Sequence, residues 1–191
     1  MAPPAENGAI VQTERLILRP FIASDFPAYA AYHTRSDVYR YLYLSPPDRD
    51  TLQRNFTAVI RPVFAKQADE FKLAVVTRDE GVLVGEVVLK FANEYALQGE
   101  VGYIFDPTHA GKGYATEATK AIIHYGFNHL GLHRIFARLD TANTGSIGVV
   151  ERLKLRREAH FIGNDRFNGI WGDEFVYAIL DHEWFSLHPE G

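Results

Sequence analysis

The chain has 191 residues, of which 47% are hydrophobic and 23% are charged, and its formal net charge at pH 7 is -4. This length fits one domain with a full core, and the composition is typical of a globular protein rather than a disordered or membrane-embedded one. Without an excess of basic residues we expect no nucleic-acid partner, and without cysteine there is no disulfide, cysteine nucleophile or thiolate metal site.

The N-terminal stretch MAPPAENGAI is rich in proline and alanine, and it has neither the basic nor the apolar segment of a secretory signal. We expect residues 1–10 to form a flexible tail and residues 11–188 to form a single domain. No stretch approaches the ~18 continuous apolar residues of a transmembrane helix. We therefore predict a cytoplasmic protein that does not bind a membrane.

The N-terminal part of the chain predicts a strand, helices and a hairpin. The strand is TERLILRPF, which alternates two leucines with other residues. Two short helices follow, FPAYAAYH behind an N-cap at Ser24 or Asp25, and SDVYRYL. A longer helix, DRDTLQRNFTAVIRPVFAKQ, should kink or end at Pro62. The segments EFKLAVVT and VLVGEVVLKF, on either side of a short polar turn, predict an antiparallel hairpin.

The C-terminal part alternates strands with helices. GEVGYIFD, RIFARLD and DEFVYAIL predict strands, while SIGVVERL and YATEATKAIIHYGFNHLGL predict helices, the latter closed by Gly131. Hairpins followed by alternating strands and helices favour an α+β fold with a mixed, mostly antiparallel sheet and flanking helices.

The turn DPTHAGKGYATEA joins a predicted strand to a predicted helix and places a glycine on each side of Lys112. Backbone N–H groups at the start of a helix lie at the positive end of its dipole, so such a turn can bind an anion, most often phosphate. A P-loop would need glycine at Asp106 and Ser or Thr at Gly113, and a dinucleotide fingerprint would need glycine at Thr116. ATP and NAD are therefore poor candidates, while a plain turn without a ligand stays open.

The same turn resembles the pyrophosphate loop of the GNAT superfamily, Gln/Arg-x-x-Gly-x-Gly/Ala, although Ala110 stands where glutamine or arginine is typical. TERLILRPF, GEVGYIFDPTHAGKG, GLHRIFARLDTANTGS and VYAIL follow in order, and together they resemble the ribosomal-protein N-terminal acetyltransferase branch, the RimJ/RimL type. The resemblance covers nearly the whole chain. It implies the GNAT fold with splayed central strands and an N-acetyltransferase that uses acetyl-CoA.

The resemblance also implies where the cofactor binds. Amides of the glycine turn would bind the pyrophosphate, and the pantetheine arm would lie between the strands GEVGYIFD and RIFARLD, beside the Asn-x-x-Ser of the next helix. The implied cofactor-binding residues are Tyr103, Ile104, Phe105, Gly111, Lys112, Gly113, Tyr114, Ala115, Thr116, Asn143 and Ser146. Asparagine and serine are also common at helix N-termini, so capping stays open as their role. No metal is needed.

Two residues have implied catalytic roles. Glu100 corresponds to the glutamate that this branch uses as a general base, and Ser146 is the candidate donor to the leaving thiolate, because Val150 stands where many GNAT enzymes have tyrosine. An N-terminal α-amine, with a pKa near 8 against about 10.4 for lysine, loses its proton more readily.

We therefore expect direct attack by the N-terminal α-amine of a protein or peptide. A small amine acceptor (a polyamine, an amino sugar or an amino acid) and an acyl-CoA-binding module without catalysis stay open. The resemblance also allows a homodimer.

Some residues outside these motifs carry separate expectations. Lys154 ends a predicted helix where the family has glycine, so a left-handed residue there should cost about 1 kcal/mol. The serine of TGSIG lacks the first glycine of a hydrolase nucleophile elbow, and the histidines do not form His-Glu-x-x-His. Five aromatic residues could line an acceptor pocket or pack in the core: Tyr39, Tyr41, Tyr43, Phe167 and Trp171.

Overall fold

The computed structural model describes residues 10–60 and 69–189. Its strands are β1 (Val11–Gln12), β2 (Leu16–Arg19), β3 (Glu70–Thr77), β4 (Leu83–Asn93), β5 (Gln98–Phe105), β6 (Arg134–Asp140), β7 (Arg156–Phe167) and β8 (Ile170–Leu180). Its α-helices are α1 (Phe26–His33), α2 (Ser36–Tyr39), α3 (Arg49–Val59), α4 (Tyr114–Asn128), α5 (Thr144–Arg152) and α6 (Asp181–Leu187). The predicted tail, apart from Ile10, and the predicted kink at Pro62 lie outside the described residues.

The eight strands of the described chain form one sheet in the order β1-β2-β3-β4-β5-β6-β8-β7. Neighbouring strands run antiparallel, except that β5 and β6 are parallel. The predicted α+β fold with a mixed, mostly antiparallel sheet is therefore confirmed. The parallel pair extends only from Gln98↔Arg134 to Glu100↔Phe136, after which the two strands diverge. This divergence is the splay that the GNAT resemblance implies.

Helices cover both faces of the sheet, and the alternation of side chains along β3 shows how. Leu73 and Val75 point into a core that also contains Ile122 of α4, whereas Ala74 and Val76 point into a second core with helices α1 and α3. Residues on one strand thus bury apolar area on both faces, as expected for a strand inside a two-sided sheet.

Some boundaries and contacts differ from the sequence-based predictions. Asp25 occupies the predicted N-cap position of α1, but its side chain does not cap the helix: the carboxylate accepts hydrogen bonds from Arg19, at 2.6 and 2.8 Å, and from the Ile22 amide. Strand β7 and helix α6 were not predicted. Most side chains of β7 are exposed, so the strand lacks the apolar alternation by which strands are recognised.

A buried carboxylate ties the α1 layer to the sheet. Glu86 of β4 is 2% exposed, and it accepts hydrogen bonds from Tyr32 Oη at 3.0 Å and His33 Nε2 at 3.1 Å, with Lys72 Nζ 3.3 Å away. His33 Nδ1 lies 2.8 Å from Tyr39 Oη. Burial opposes the charge on Glu86, but Lys72, His33 and Tyr32 outweigh burial and hold the pKa of Glu86 below its ordinary value of 4.5.

Replacing Glu86 with glutamine should lower the free energy of unfolding at pH 7 by about 3 kcal/mol, because Lys72 and His33 lose a buried charged partner. Urea unfolding followed by circular dichroism measures this. The charge on Glu86 stabilises fully above pH 4.5, and its contribution is lost as pH falls through the lowered folded-state pKa. The stabilities of wild type and Glu86→Gln should therefore converge in acid.

The matched control is Glu80→Gln, which changes an exposed carboxylate in the turn before β4. It should alter the unfolding free energy by less than about 0.5 kcal/mol. Equal losses from the two substitutions would contradict a stabilising role for the buried network.

Candidate active site

A cavity of about 940 Å³ lies where β5 and β6 diverge. Strand β5 is paired with β4 as far as Phe105 but with β6 only as far as Glu100. Within the described chain, backbone groups on the β6 side of residues 101–105 therefore have no partner strand. Inaccessible backbone polar groups are nearly always hydrogen bonded, so this edge fits a ligand that carries peptide-like groups.

The cavity brings together most of the residues predicted to bind the cofactor. Its lining includes Tyr103, Ile104, Phe105, Gly111, Gly113, Tyr114, Ala115, Thr116, Asn143 and Ser146. Lys112 is not part of the lining: it is exposed, and its carbonyl oxygen accepts a hydrogen bond from Arg15 Nη1 at 3.0 Å. Glu100 is also outside the lining, although Arg138, which binds it, is part of the wall.

The glycine turn has the geometry of an anion site. Gly111 has φ of +77° and Gly113 has φ of +80°, a left-handed conformation that glycine adopts without strain. Gly113 is the N-cap of α4, and no side chain caps the helix there. The first amides of α4 are thus without an intrahelical acceptor beside the cavity, at the positive end of the helix dipole. The turn fits a phosphate group of acetyl-CoA.

A group of hydrogen bonds that the sequence did not predict holds this turn in place. Glu117 in the first turn of α4 accepts hydrogen bonds from Thr13 Oγ1 at 2.6 Å, the Arg15 amide at 2.9 Å and Arg15 Nε at 2.7 Å. The Arg15 guanidinium also lies 5.1 Å from the centre of the Tyr114 ring. Burial opposes the charge on Glu117, but Thr13 and Arg15 outweigh it and hold the pKa of Glu117 below 4.5. The turn between β1 and β2 therefore fixes the start of α4.

The head of α5 forms the opposite wall. Asn143 Oδ1 accepts a hydrogen bond from the Ser146 amide at 3.1 Å, so Asn143 caps the helix, as the capping interpretation predicts. Tyr103 Oη donates to the Ser146 carbonyl at 3.0 Å, which connects β5 to α5 across the gap. Burial raises the pKa of Tyr103 to about 12.

The end of α5 confirms the strained cap predicted at Lys154, whose φ is +64°. The Leu155 amide donates to the Val150 carbonyl and the Lys154 amide donates to the Glu151 carbonyl, each at 3.0 Å. These two bonds are those of a Schellman cap. Val150 itself is fully buried in the core beneath the cavity.

Charged side chains surround the end of β6. Arg138 Nε donates to Glu100 Oε1 at 2.9 Å, and Arg138 and Asp140, two residues apart, both line the cavity. Burial raises the pKa of Glu174 above 4.5; Arg138 opposes the rise, and Asp165 and Glu100 add to it. Carboxylates therefore outnumber the guanidinium here, which suits a cationic acceptor.

A tyrosine from the segment after α2 reaches this face. Tyr43 Oη donates to Asp140 Oδ2, and burial, followed by this hydrogen bond, raises the pKa of Tyr43 above its ordinary value of 10.0. Tyr43 has φ of +53°, which costs a non-glycine residue strain. Its ring lies directly on Gly172, where a side chain would overlap it. The segment is therefore fixed to the hairpin of β7 and β8.

The five aromatic residues for which a pocket or a core position stayed open lie in different environments. Tyr41 lines the cavity, but Tyr39 is buried against His33. Phe167 and Trp171 are outside the cavity lining, and Trp171 is 63% exposed.

The described part of the chain offers neither a cluster of metal ligands nor a membrane-spanning helix. Residues 10–60 and 69–189 contain no group of three or more histidine, aspartate or glutamate side chains placed to hold a metal ion. No helix among them has both the length and the apolar character needed to cross a membrane.

Comparison with known proteins agrees with this geometry. Residues 15–156 match the model of a family described as an acetyltransferase (GNAT) domain. The chain is 34% identical over 175 residues to YnaD of Bacillus subtilis, named an uncharacterized N-acetyltransferase, and the match covers 91% of this chain and 98% of YnaD. The crystal structure of an acetyltransferase (GNAT family) from Bacillus anthracis superposes with a TM-score of 0.81 at 31% identity, covering 91% of this chain and 99% of that one.

A spermidine N-acetyltransferase from Vibrio cholerae, solved in complex with CoA and spermine, superposes with a TM-score of 0.78 at 23% identity. The superposition covers 91% of this chain and 99% of that chain. At this identity the similarity is one of fold.

Gly172→Ala should lower the free energy of unfolding by about 1–3 kcal/mol, because the added methyl group overlaps the Tyr43 ring. Urea unfolding measures the loss in wild type and in a Tyr43→Ala background. Removal of the ring should reduce the cost of the methyl group to less than about 0.5 kcal/mol. The same cost in both backgrounds would show that Tyr43 does not lie on Gly172.

Proposed function

The chain belongs to the GNAT acetyltransferase family, and we propose that it acetylates the N-terminal α-amine of a protein or peptide. It is an acetyl-CoA-dependent N-acyltransferase, which excludes the alternative of a binding module without catalysis. The observation that carries the proposal is one cavity in which an anion-binding turn, an unpaired strand edge and a capped helix head meet. The choice of acceptor follows the resemblance of its motifs to the RimJ/RimL branch.

Each wall of the cavity has a proposed part in binding acetyl-CoA. Amides of Gly111–Thr116 bind the diphosphate, and the unpaired edge at Tyr103–Phe105 binds the pantetheine arm. The left-handed glycines of the turn and the unpartnered edge support this assignment. Acetyl-CoA supplies an acetyl thioester whose thiol leaves when the acetyl group is transferred.

The proposed catalytic residues lie at the acceptor end of the cavity. Glu100 accepts the proton of the attacking amine through a water molecule, since its carboxylate reaches the wall only through Arg138. The Ser146 hydroxyl, on a residue that lines the cavity, donates a hydrogen bond to the leaving thiolate. Asn143 holds the amide of Ser146 and so positions this helix turn.

The pKa of the acceptor supports an α-amine. Glu100 already shares its carboxylate with Arg138, whose Nε and Nη2 lie 2.9 and 3.4 Å from its two oxygens. An α-amine, with a pKa near 8, is partly neutral at neutral pH, whereas a lysine-type amine is almost entirely charged. An acceptor that loses its proton readily therefore suits this site better.

A small polycationic amine is the second candidate acceptor. The observation in its favour is the group of carboxylates around the end of β6, formed by Asp140, Asp165 and Glu174 beside Glu100. Several ammonium groups on one flexible molecule could pair with them.

The test measures CoA thiol release from acetyl-CoA with three acceptors: a peptide with a free N-terminus, the same peptide with a blocked N-terminus, and spermidine. We expect turnover with the free peptide, rising to a plateau as pH passes about 8 because the neutral α-amine reacts. Glu100→Gln should lower this turnover by about 100-fold and leave the Kd for CoA within about twofold.

The matched control is Glu158→Gln, since Glu158 also binds arginine side chains, Arg134 at 2.6 Å and Arg156 at 2.7 Å, outside the cavity. It should leave turnover unchanged. Equal turnover in both variants would remove Glu100 from the mechanism. Turnover with spermidine but not with the free peptide would replace the α-amine with a polyamine as acceptor.

A further inference from the structure

The glycine turn directs amides at the cavity but no lysine or arginine side chain. Ala110 stands at the start of the turn, Lys112 is outside the cavity lining, and Arg15 is held by Glu117. A diphosphate carries negative charge that amides alone neutralise only in part, since their dipoles have no net charge. The wall opposite the turn supplies the missing cation.

Two arginines are among the described residues that line the cavity, Arg138 and Arg152. Arg138 is paired with Glu100 at the acceptor end. Arg152, in the last turn of α5, forms no ion pair in the described part of the chain. Its Nε donates to Thr116 Oγ1 at 3.2 Å, so its guanidinium reaches from α5 to the first turn of α4. The arginine charge therefore lies beside the amides proposed to bind the diphosphate.

The path of the Arg152 side chain depends on Gly148, one helical turn earlier. A Cβ atom at residue 148 would lie 3.1 Å from Arg152 Nη1, which is closer than most real contacts of this kind, and 3.7 Å from Cζ, which is an ordinary van der Waals distance. Glycine is among the least favourable residues inside a helix. Here it leaves room for the guanidinium to turn back towards the cavity, away from the helix C-terminus where a basic side chain would otherwise interact with the dipole.

We propose that Arg152 is a cofactor-binding residue whose guanidinium pairs with the diphosphate of CoA, and that Gly148 provides the space that this pairing requires. The inference rests on the proposed CoA site. The planar guanidinium can donate two hydrogen bonds to one phosphate group, which an ammonium group cannot do in the same fixed geometry. Arg152 thus supplies, from across the cavity, the charge that Ala110 lacks.

The first test is isothermal titration calorimetry of Arg152→Gln with CoA and with 3′-dephospho-CoA, which keeps the diphosphate. The Kd for both ligands should rise about tenfold, because one charge-assisted contact is lost. The dependence of Kd on salt concentration should also weaken. Arg54→Gln is the matched control, since Arg54 is an exposed helical arginine that donates to a threonine hydroxyl, Thr51 Oγ1, at 2.8 Å away from the cavity. It should leave both Kd values unchanged.

The second test is Gly148→Ala, which separates binding from stability. Alanine favours the helix, so the melting temperature should rise, while the displaced guanidinium should raise the Kd for CoA as Arg152→Gln does. In the Arg152→Gln background, Gly148→Ala should have no further effect on Kd. A purely structural role for Arg152 would instead predict that stability and affinity fall together.

Three outcomes overturn the inference. If Arg152→Gln binds CoA with the wild-type Kd, the guanidinium does not pair with the ligand. If its Kd rises for CoA but not for 3′-dephospho-CoA, Arg152 binds the 3′-phosphate instead of the diphosphate. If the wild-type chain binds no CoA at all, the proposed function fails and this inference fails with it, whereas the first two outcomes leave the proposed function intact.

Discussion

Strands β5 and β6 run side by side for three residue pairs and then diverge, while β4 continues to hold β5 on its other edge. Because β4 fixes it, the free edge of β5 stays extended beside the cavity. The chain after β5 enters the glycine turn and α4, and the chain after β6 enters the head of α5. Two helix N-termini therefore face one gap in the sheet. A ligand with an anionic end and a peptide-like arm matches this arrangement.

Polar contacts between distant segments hold the walls of the gap in place. Glu117 binds the turn between β1 and β2 and fixes the first turn of α4, while Glu86 binds α1 and fixes the helical layer on the other face. Both carboxylates have lowered pKa values because their partners outweigh the penalty of burial. The contact of Tyr43 with Asp140 holds the segment after α2 near the acceptor end. These contacts hold the walls of the gap through groups of the protein itself, which limits the ordering that ligand binding must supply.

The sequence predicted the parts of this molecule whose signals are local. The strands, the hairpin and the glycine turn follow from the alternation of apolar residues and from the conformations that glycine allows. The resemblance to one family then predicted how these elements assemble into a fold. Contacts between residues far apart in the sequence have no such signal. Arg15, for example, hydrogen bonds to Glu117 only because the chain just before β2 lies beside α4. The part proposed for Arg152 likewise depends on the packing of α5 against α4. Strand β7 was not predicted because most of its side chains are exposed, so apolar and polar residues do not alternate along it.

We propose that the glycine turn and the divergence of β5 and β6 together form the acetyl-CoA site. The decisive experiment is a crystal structure of the chain with acetyl-CoA. We expect the diphosphate within hydrogen-bonding distance of the amides of Gly111–Thr116, and the pantetheine arm along the free edge of β5. A diphosphate bound elsewhere on the protein, or an arm that does not enter the gap between the two strands, would contradict it.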